Sequence, residues 1–336
     1  MTEIVDIDHA QEIDEFVRAH EKCHFEQTSS WGRVKNYDGW AGIICRDESS
    51  AIKGVMCVLI SKINHTNMTR LYSPRGPLFD ENDADTFNEL IEAAKGLAKK
   101  HNAMVLKIDP MILNENKDFL KLTADMGFTV NTASDFSLSN PRVAYVTDLR
   151  DIHTHEDLFA IYHRTMKGHI KKSEKNLTLR MGTEKDIPAF VEMMRQTGEK
   201  NGFRPHSTKY YTSFINDLEG ASFWIAEEEG APVAATFAVE LGNRMWYMYG
   251  CSDQGRLKNH PNEFLQWKMQ CHAVDKGIKY FDLRGVEGFP EPDNPHYGLH
   301  RYKQSLGSTF VCYCGEFYLV FKPLANKALN LLHRIG

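Results

Sequence analysis

The sequence lacks any apolar run near the roughly 18 residues that a membrane-spanning helix needs. Its first residues, MTEIVDIDHAQEIDEF, are acidic, whereas a secretory signal carries positive charge before an apolar block. Both absences predict a cytoplasmic protein. Hydrophobic residues make up 42% and charged residues 25% of the 336 residues, which is typical of a globular chain long enough for two domains.

Cysteine is scarce, and the usual catalytic signatures are missing. The seven cysteines are odd in number and lie mostly in apolar or strand-like stretches, which suits reduced core thiols better than a disulfide framework. Cys312 and Cys314 have no partner pair at zinc-finger spacing, so neither a metal nor a cofactor is predicted. GxxxxGKS, GxSxG, HExxH and GxGxxG motifs are also absent, which argues against the common nucleotide, serine hydrolase, zinc protease and dinucleotide sites.

Positive charge is in the minority overall but concentrated in one stretch. The net charge of −5 argues against a surface coated for nucleic acid. The run DLFAIYHRTMKGHIKKSEKNLTLR nevertheless predicts a helix with five crowded cations, Arg164, Lys167, Lys171, Lys172 and Lys175. Spacings of three and four place several of them on one side, where they repel each other unless an anion intervenes. A solvated helix face and a site for phosphate or an RNA backbone both fit this run.

The order of predicted elements is repeated in the two halves of the chain. In the first half, a hairpin and a strand precede an amphipathic helix from Phe87, the strand VLKIDP ending at Asp109, and a short helix. In the second half, the same order leads to YFDLRG, so that Asp282 corresponds to Asp109. The repetition predicts two copies of one mixed α/β unit.

The second copy carries the insertion EGFPEPDNPHYG, after which Tyr302 and Lys303 follow. Functional groups of α/β proteins often lie where a strand ends in a loop, as Asp282 and Arg284 do here. A unit of this kind is compatible with an acyltransferase, in which a lysine ammonium such as that of Lys303 can stabilise a developing oxyanion. A surface lysine paired with a carboxylate is the alternative.

Six motifs occur in a fixed order over nearly the whole chain: WGRVK, SPRGP, KIDP, the basic helix, WYMYG and GLHRYKQSLG. This ordered set resembles the Fem family of non-ribosomal peptidyl transferases, and most of all its FemX-type members. The resemblance implies two tandem GNAT-like acyltransferase domains of the α/β (α+β) class without the coiled-coil arm of some members. The implied domains are residues 1–145 plus 316–336, which bind the precursor, and 146–315, which carry the catalytic lysine.

The resemblance also implies an activity. An amino acid would pass from aminoacyl-tRNA to the side-chain amine of the third stem-peptide residue of a peptidoglycan precursor, either UDP-MurNAc-pentapeptide or its lipid-linked form, lipid II. We further expect a monomer without a cofactor, and contact with the inner face of the membrane where the precursor is lipid-linked.

Family roles are transferred only to matching positions. Lys303, after Tyr302, matches the lysine that stabilises charge at the aminoacyl ester, and Asp109 matches an aspartate that assists the amine. Precursor binding is implied for six residues, Lys35, Arg75, Arg204, His206, Tyr210 and Tyr249. His206 stands where the family has arginine, which leaves open whether it or Arg204 binds the diphosphate, and Met104 replaces a family tyrosine. The five cations of the basic helix are the implied tRNA contacts.

Two other functions remain open from the sequence. A coenzyme A-dependent N-acyltransferase can use the same domain unit, but it needs a glycine-rich turn at a helix start to hold the pyrophosphate. The nearest segment, QGRLKNHPNE, does not provide that turn. A non-catalytic protein that binds the precursor or RNA is the second alternative.

Overall fold

The computed structural model describes residues 1–327, apart from the side chain of Asn201, and it contains two compact units. Unit 1 comprises residues 1–143 and the segment from Cys312 onward, and unit 2 comprises residues 144–311. The domain boundaries that the resemblance implies lie between residues 145 and 146 and between residues 315 and 316. Residues 328–336 of the predicted C-terminal segment lie outside the described residues.

Unit 1 is built on an eight-stranded sheet. Its strands are β1 (Thr2–Val5), β2 (Gly39–Arg46), β3 (Ile52–Lys62), β4 (Thr69–Ser73), β5 (Leu78–Phe79), β6 (Ala103–Ile108), β7 (Thr129–Asn131) and β15 (Glu316–Val320). Its helices are α1 (Gln11–Ala19), α2 (Ser29–Lys35), α3 (Ala84–Lys100) and α4 (Lys117–Asp125). The strand order is β1-β2-β3-β4-β6-β15-β7, and β5 pairs with β3. The last strand of the described residues, β15, therefore lies in the sheet of unit 1.

Helix α3 covers the sheet of unit 1 and shows how the sequence specifies this packing. Asp83 caps its N-terminus by accepting a hydrogen bond from the Thr86 amide, and Lys99 and Lys100 lie in its last turn, where positive charge is favourable. The predicted apolar face is confirmed, because six residues at three- and four-residue spacing are buried: Phe87, Leu90, Ile91, Ala94, Leu97 and Ala98.

Unit 2 is built on a seven-stranded sheet. Its strands are β8 (Val143–Asp148), β9 (Thr178–Met181), β10 (Ala221–Glu228), β11 (Ala231–Leu241), β12 (Arg244–Ser252), β13 (Tyr280–Gly285) and β14 (Thr309–Cys312). Its helices are α5 (His155–Ile161), α6 (Arg164–Ser173), α7 (Ile187–Asn201), α8 (Thr208–Asp217), α9 (Pro261–Asp275) and α10 (Tyr297–Ser305). The strand order is β14-β8-β13-β12-β11-β10-β9.

The repeated order of elements predicted from the sequence is present in both units. In unit 1, the hairpin β2–β3 and strand β4 precede α3, the parallel strand β6 and α4. In unit 2, β10–β11 and β12 precede α9, the parallel strand β13 and α10. One detail differs: Asp109 follows the last residue of β6, whereas Asp282 lies inside β13, because β13 continues to Gly285 through a register shift against β8. The mixed α/β class is confirmed.

Within residues 1–327, no helix has both the length and the apolar composition needed to cross a bilayer. All seven cysteines are free thiols, and all but Cys312 are buried. This agrees with the predicted reduced core thiols.

Candidate functional site

Lys303 lies on α10 in unit 2, and its ammonium group is enclosed by backbone oxygens. The residue is only 6% exposed. Its Nζ donates hydrogen bonds to the carbonyl oxygens of Leu283, Arg284 and Gly285 at 2.7, 3.0 and 2.8 Å. Each of the three ammonium hydrogens therefore has an acceptor at the end of β13.

The distorted end of β13 brings these three carbonyls together. In a regular strand, successive backbone carbonyl groups point to opposite sides. Here the pairing with β8 shifts register between Asp282 and Gly285, and the strand is irregular at this point. Arg284, inside the shift, has a φ of 61°, in the left-handed region that non-glycine residues rarely adopt. The irregular backbone thus forms a cation site that a straight strand would not provide.

Neighbouring groups act in opposite directions on the pKa of the Lys303 ammonium. Burial lowers the pKa of its ammonium to about 7, while the nearby carboxylate of Asp282 acts to raise that pKa and Arg284 to lower it. Asp282 is itself held by the Arg284 amide at 2.7 Å and lies 3.8 Å from the Arg244 guanidinium. Near neutral pH Lys303 can therefore be present in either protonation state.

Tyr302 precedes Lys303 and borders a cavity of about 430 Å³ in unit 2. Ten residues line it: His163, Thr165, Met166, His169, Glu263, Gly298, Arg301, Tyr302, Gln304 and Ser305. The ring of Tyr302 packs against the hydrophobic core of unit 2, and burial raises the pKa of its hydroxyl well above the usual value. Tyr302 therefore remains un-ionised and provides an aromatic wall.

Asp109 directly follows β6 in unit 1 and is 3% exposed. Its Oδ1 accepts a hydrogen bond from the Arg75 amide at 2.6 Å, and its Oδ2 accepts one from the Tyr72 hydroxyl at 3.0 Å. Burial raises the pKa of Asp109 to about 7, although the Arg75 guanidinium opposes this shift, and Glu26 adds to it. A carboxyl group with this pKa can exchange a proton at neutral pH.

A cavity of about 790 Å³ opens in unit 1. Its polar and aromatic lining includes Glu26, Trp31, Lys35, Tyr37, Arg70, Tyr72, Lys107, Ser139, Asn140 and Tyr318. The predicted binding residue Lys35 is among them, with its Nζ 5.2 Å from the ring centroid of Trp31 and 5.6 Å from that of Tyr37. Asp109 does not line the cavity itself, whereas its hydrogen-bond partner Tyr72 does.

Lys107 adds a second lysine to the cavity wall of unit 1. Its Nζ lies 3.4 Å from the buried carboxylate of Glu316, is bonded to the Ser139 hydroxyl and is positioned 4.1 Å from the Tyr72 ring centroid. The cavity therefore holds three cationic side chains, those of Lys35, Arg70 and Lys107, among its described lining residues.

Arg75, predicted to bind the precursor, is buried and does not line this cavity. One of its guanidinium nitrogens donates to the Pro141 carbonyl at 2.8 Å, and the group lies 4.9 Å from the Tyr313 ring centroid. Together with the contact between its amide and Asp109, these bonds indicate a structural role within unit 1.

This placement yields a first prediction. Arg75→Ala is expected to lower the free energy of unfolding by about 3 kcal/mol, because it removes the cation facing a buried carboxylate. Arg70→Ala, at the cavity wall, is the matched control and should change that free energy by less than about 0.5 kcal/mol. Urea unfolding of both variants measures the difference. A stable Arg75→Ala protein that has lost affinity for the predicted precursor would show instead that Arg75 contacts substrate.

Three of the predicted binding residues meet in an aromatic cluster of unit 2. The Tyr210 and Tyr249 hydroxyls lie 2.8 Å apart, and the His206 ring stacks on Tyr210 at a centroid distance of 4.1 Å. Arg204 is exposed in the same segment. Met104, where the family has tyrosine, is buried in unit 1 beside Ile63 and Val105.

The basic run is not the single helix predicted from its composition. It forms α5 and α6, separated at Tyr162 and His163, and Lys175 lies beyond α6. Tyr162 is buried against Trp267, and the His163 side chain caps α6, which explains the break. Lys167 and Lys172 donate to the carbonyls of Ala160 and Lys258, while four cations of the run are exposed: Arg164, Lys171, Lys172 and Lys175.

Several residues of the unit 1 site were not identified from the sequence. They are Glu26, Tyr72, Lys107, Asn140 and Glu316. The available signal was weak: Glu316 opens the otherwise apolar strand EFYLV, and Lys107 interrupts the apolar strand AMVLKI. A charged residue in a buried strand needs a partner, and that requirement could have marked both positions.

Known structures share this fold along nearly the whole chain. The crystal structure of FemX matches with a TM-score of 0.87 and 21% identity, covering 97% of this chain and 99% of that one. A tandem GNAT protein from the clavulanic acid biosynthesis pathway matches with a TM-score of 0.57 and 10% identity, covering 95% and 98%. These likenesses confirm the predicted fold of two tandem GNAT-like domains.

Proteins with similar sequences also match over most of the chain. A lipid II:glycine glycyltransferase of Staphylococcus haemolyticus (strain JCSC1435) is 25% identical, covering 94% of this chain and 92% of its own length. The corresponding Staphylococcus aureus protein is 22% identical, with the same coverage. The FemAB family model matches residues 9–227 and 218–334. Because these matches together span nearly the whole sequence, the chain belongs to the FemAB family.

Proposed function

We propose that this protein is an aminoacyltransferase of peptidoglycan synthesis, which moves an amino acid from aminoacyl-tRNA to the side-chain amine of a precursor stem peptide. The observation that carries the proposal is similarity to lipid II:glycine glycyltransferases over 94% of the chain. The acceptor is UDP-MurNAc-pentapeptide or lipid II, and the reaction starts or extends the interpeptide bridge. The protein acts as a cytoplasmic monomer, and at the inner membrane face when its acceptor is lipid-linked.

The unit 1 cavity suits the acceptor in size and charge. A volume of about 790 Å³ lies within the usual range for small-molecule sites. Lys35, Arg70 and Lys107 offer cations for the diphosphate of the precursor, and Tyr72 connects the cavity to Asp109. Precursor binding by His206, Tyr210 and Tyr249, the aromatic cluster of unit 2, stays a prediction.

Unit 2 supplies the donor chemistry. The neutral acceptor amine attacks the ester carbonyl carbon, and the new C–N bond gives a tetrahedral oxyanion whose charge the Lys303 ammonium stabilises. Collapse breaks the C–O bond to the terminal ribose of the tRNA, and the leaving oxygen takes the proton that the attacking nitrogen loses as the amide forms. The proton lost by the acceptor ammonium passes to Asp109 through Tyr72. Orientation and one fixed cation suffice for this reaction because the ester is already activated.

The coenzyme A alternative finds no support at the start of α9. A pyrophosphate would need free backbone N–H groups there. Pro261 has no N–H at the first helical position, the Phe264 amide bonds to the His260 carbonyl, and Glu263 adds negative charge in the first turn. These features disfavour a dianionic pyrophosphate.

The test is a transfer assay that offers the protein both kinds of donor. A panel of charged tRNAs and acetyl coenzyme A are each combined with UDP-MurNAc-pentapeptide and with lipid II, and the products are identified by mass spectrometry. We expect an amide-linked amino acid from charged tRNA only. Acylation that depends on coenzyme A would overturn the proposal, and precursor binding without any transfer would favour the non-catalytic alternative. The panel also identifies the amino acid and the number added.

The exposed cations of α6 yield a second prediction. Charge reversal by Lys171→Glu with Lys172→Glu should raise the KM for charged tRNA roughly tenfold and flatten its dependence on salt, because fewer phosphates are neutralised. Precursor affinity should not change. The matched control is Lys99→Glu with Lys100→Glu at the end of α3, which should leave tRNA use intact. A fall in precursor affinity instead would assign the α6 cations to the diphosphate or to a lipid surface.

A further inference from the structure

The unit 1 cavity contains one carboxylate among its cations. Of the described residues that line it, Glu26 alone is acidic, whereas Lys35, Arg70 and Lys107 are basic. The three cations suit anionic groups of a ligand. A single carboxylate in such a wall suits a cationic group.

Glu26 is held firmly in place. It lies in a short 3-10 helix, Phe25–Gln27, and is only 6% exposed. Its amide donates to His24 Nδ1 at 3.1 Å, and its Oε2 accepts a hydrogen bond from Asn140 Nδ2 at 2.6 Å. Burying a carboxylate is unfavourable unless charged or hydrogen-bonding groups surround it, and Asn140 supplies one such group at the cavity wall.

Glu26 is also linked to the predicted proton acceptor. Asn140 Nδ2 lies 3.2 Å from the Tyr72 hydroxyl, which in turn donates to Asp109 at 3.0 Å. A continuous set of hydrogen bonds thus runs from the carboxylate at the cavity wall to the buried carboxyl group behind it. A cation bound by Glu26 would lie beside Tyr72, where a proton can leave toward Asp109.

We propose that Glu26, oriented by Asn140, binds the side-chain ammonium of the acceptor residue and so selects stem peptides that carry a primary amine at the third position. This inference rests on the proposed function and adds the residue that recognises the acceptor. Glu26 is a binding residue here, and Asn140 is a positioning residue.

The experiment is a cycle of binding measurements by calorimetry. The two ligands are UDP-MurNAc-pentapeptide with lysine at the third position and the same molecule with that lysine Nε-acetylated. The proteins are the unaltered chain and Glu26→Gln, in which the glutamine oxygen can still accept the Asn140 hydrogen bond. Glu81→Gln is the matched control, because Glu81 pairs with Lys22 and does not line the cavity.

In the unaltered protein and in Glu81→Gln, acetylation should weaken binding roughly 10- to 100-fold, the scale of one hydrogen bond to a charged group. In Glu26→Gln, the two ligands should bind with equal affinity. Equal discrimination in all three proteins, or none in the unaltered chain, would overturn the assignment of Glu26. If the unaltered chain bound neither ligand, the proposed function itself would fail, and this inference with it.

Discussion

Replacing Lys303 with methionine is expected to lower turnover about a hundredfold while leaving precursor affinity unchanged, the effect of removing one group that stabilises an oxyanion. The structure gives this expectation a specific form. The ammonium hydrogens already bond to three carbonyls at the end of β13, so the group would act on the substrate mainly through its buried positive charge. Methionine keeps the length and the apolar stem but removes that charge.

The pH dependence of the free energy of unfolding separates a catalytic role of Lys303 from a structural one. The folded-state pKa of Lys303, about 7, lies below the ordinary lysine pKa of 10.5, so between these values the unfolded chain binds more protons than the folded one. The free energy of unfolding should therefore rise with pH from about 7 to 10.5, and this rise should be absent in Lys303→Met. Lys268→Met, on α9, is the control for a lysine paired at the surface. Undiminished turnover in Lys303→Met would show that the Lys303 ammonium does not stabilise the oxyanion.

The fold could be predicted where the information is local. The apolar face of α3, from Phe87 to Ala98, follows from spacing alone. The repeated order of elements similarly placed Asp109 and Asp282 near the ends of corresponding strands. The prediction of a single helix failed at Tyr162, where burial against Trp267 ends the helix although neither proline nor glycine stands at the break.

The details of both sites depend on contacts between distant parts of the chain. The cation site of Lys303 requires a register shift between β13 and β8, which the sequence of neither strand discloses. The bond from Asn140 to Glu26 joins residues 114 positions apart. Patterns with a period of two or 3.6 residues report which face of an element is buried, and not which polar groups meet across the sheet. Family resemblance marked Asp109 but not the Tyr72 hydroxyl that connects it to the cavity.

Asp109→Asn is expected to lower kcat/KM by about a hundredfold, the lower end of what a general base contributes, and to change the pH profile. In the unaltered enzyme, activity should rise as Asp109 loses its proton near pH 7 and fall as Lys303 loses its charge near the same pH, which gives a narrow optimum around neutrality. The variant cannot ionise at position 109, so only the falling limb should remain. Steady-state kinetics between pH 5.5 and 9, roughly the range in which both groups titrate, measure this difference.

Stability provides an independent check on Asp109. Because burial raises its pKa from 3.8 to about 7, the folded state keeps a proton that the unfolded state releases, and the free energy of unfolding should fall as pH rises from about 4 to 7. That slope should disappear in Asp109→Asn and persist in Asp148→Asn, a strand-end aspartate that pairs with Arg150 at the surface. If Asp109→Asn loses the stability slope but keeps the full activity profile, Asp109 is a structural group. The amine proton would then leave by another route, and Tyr72 would have no catalytic connection to it.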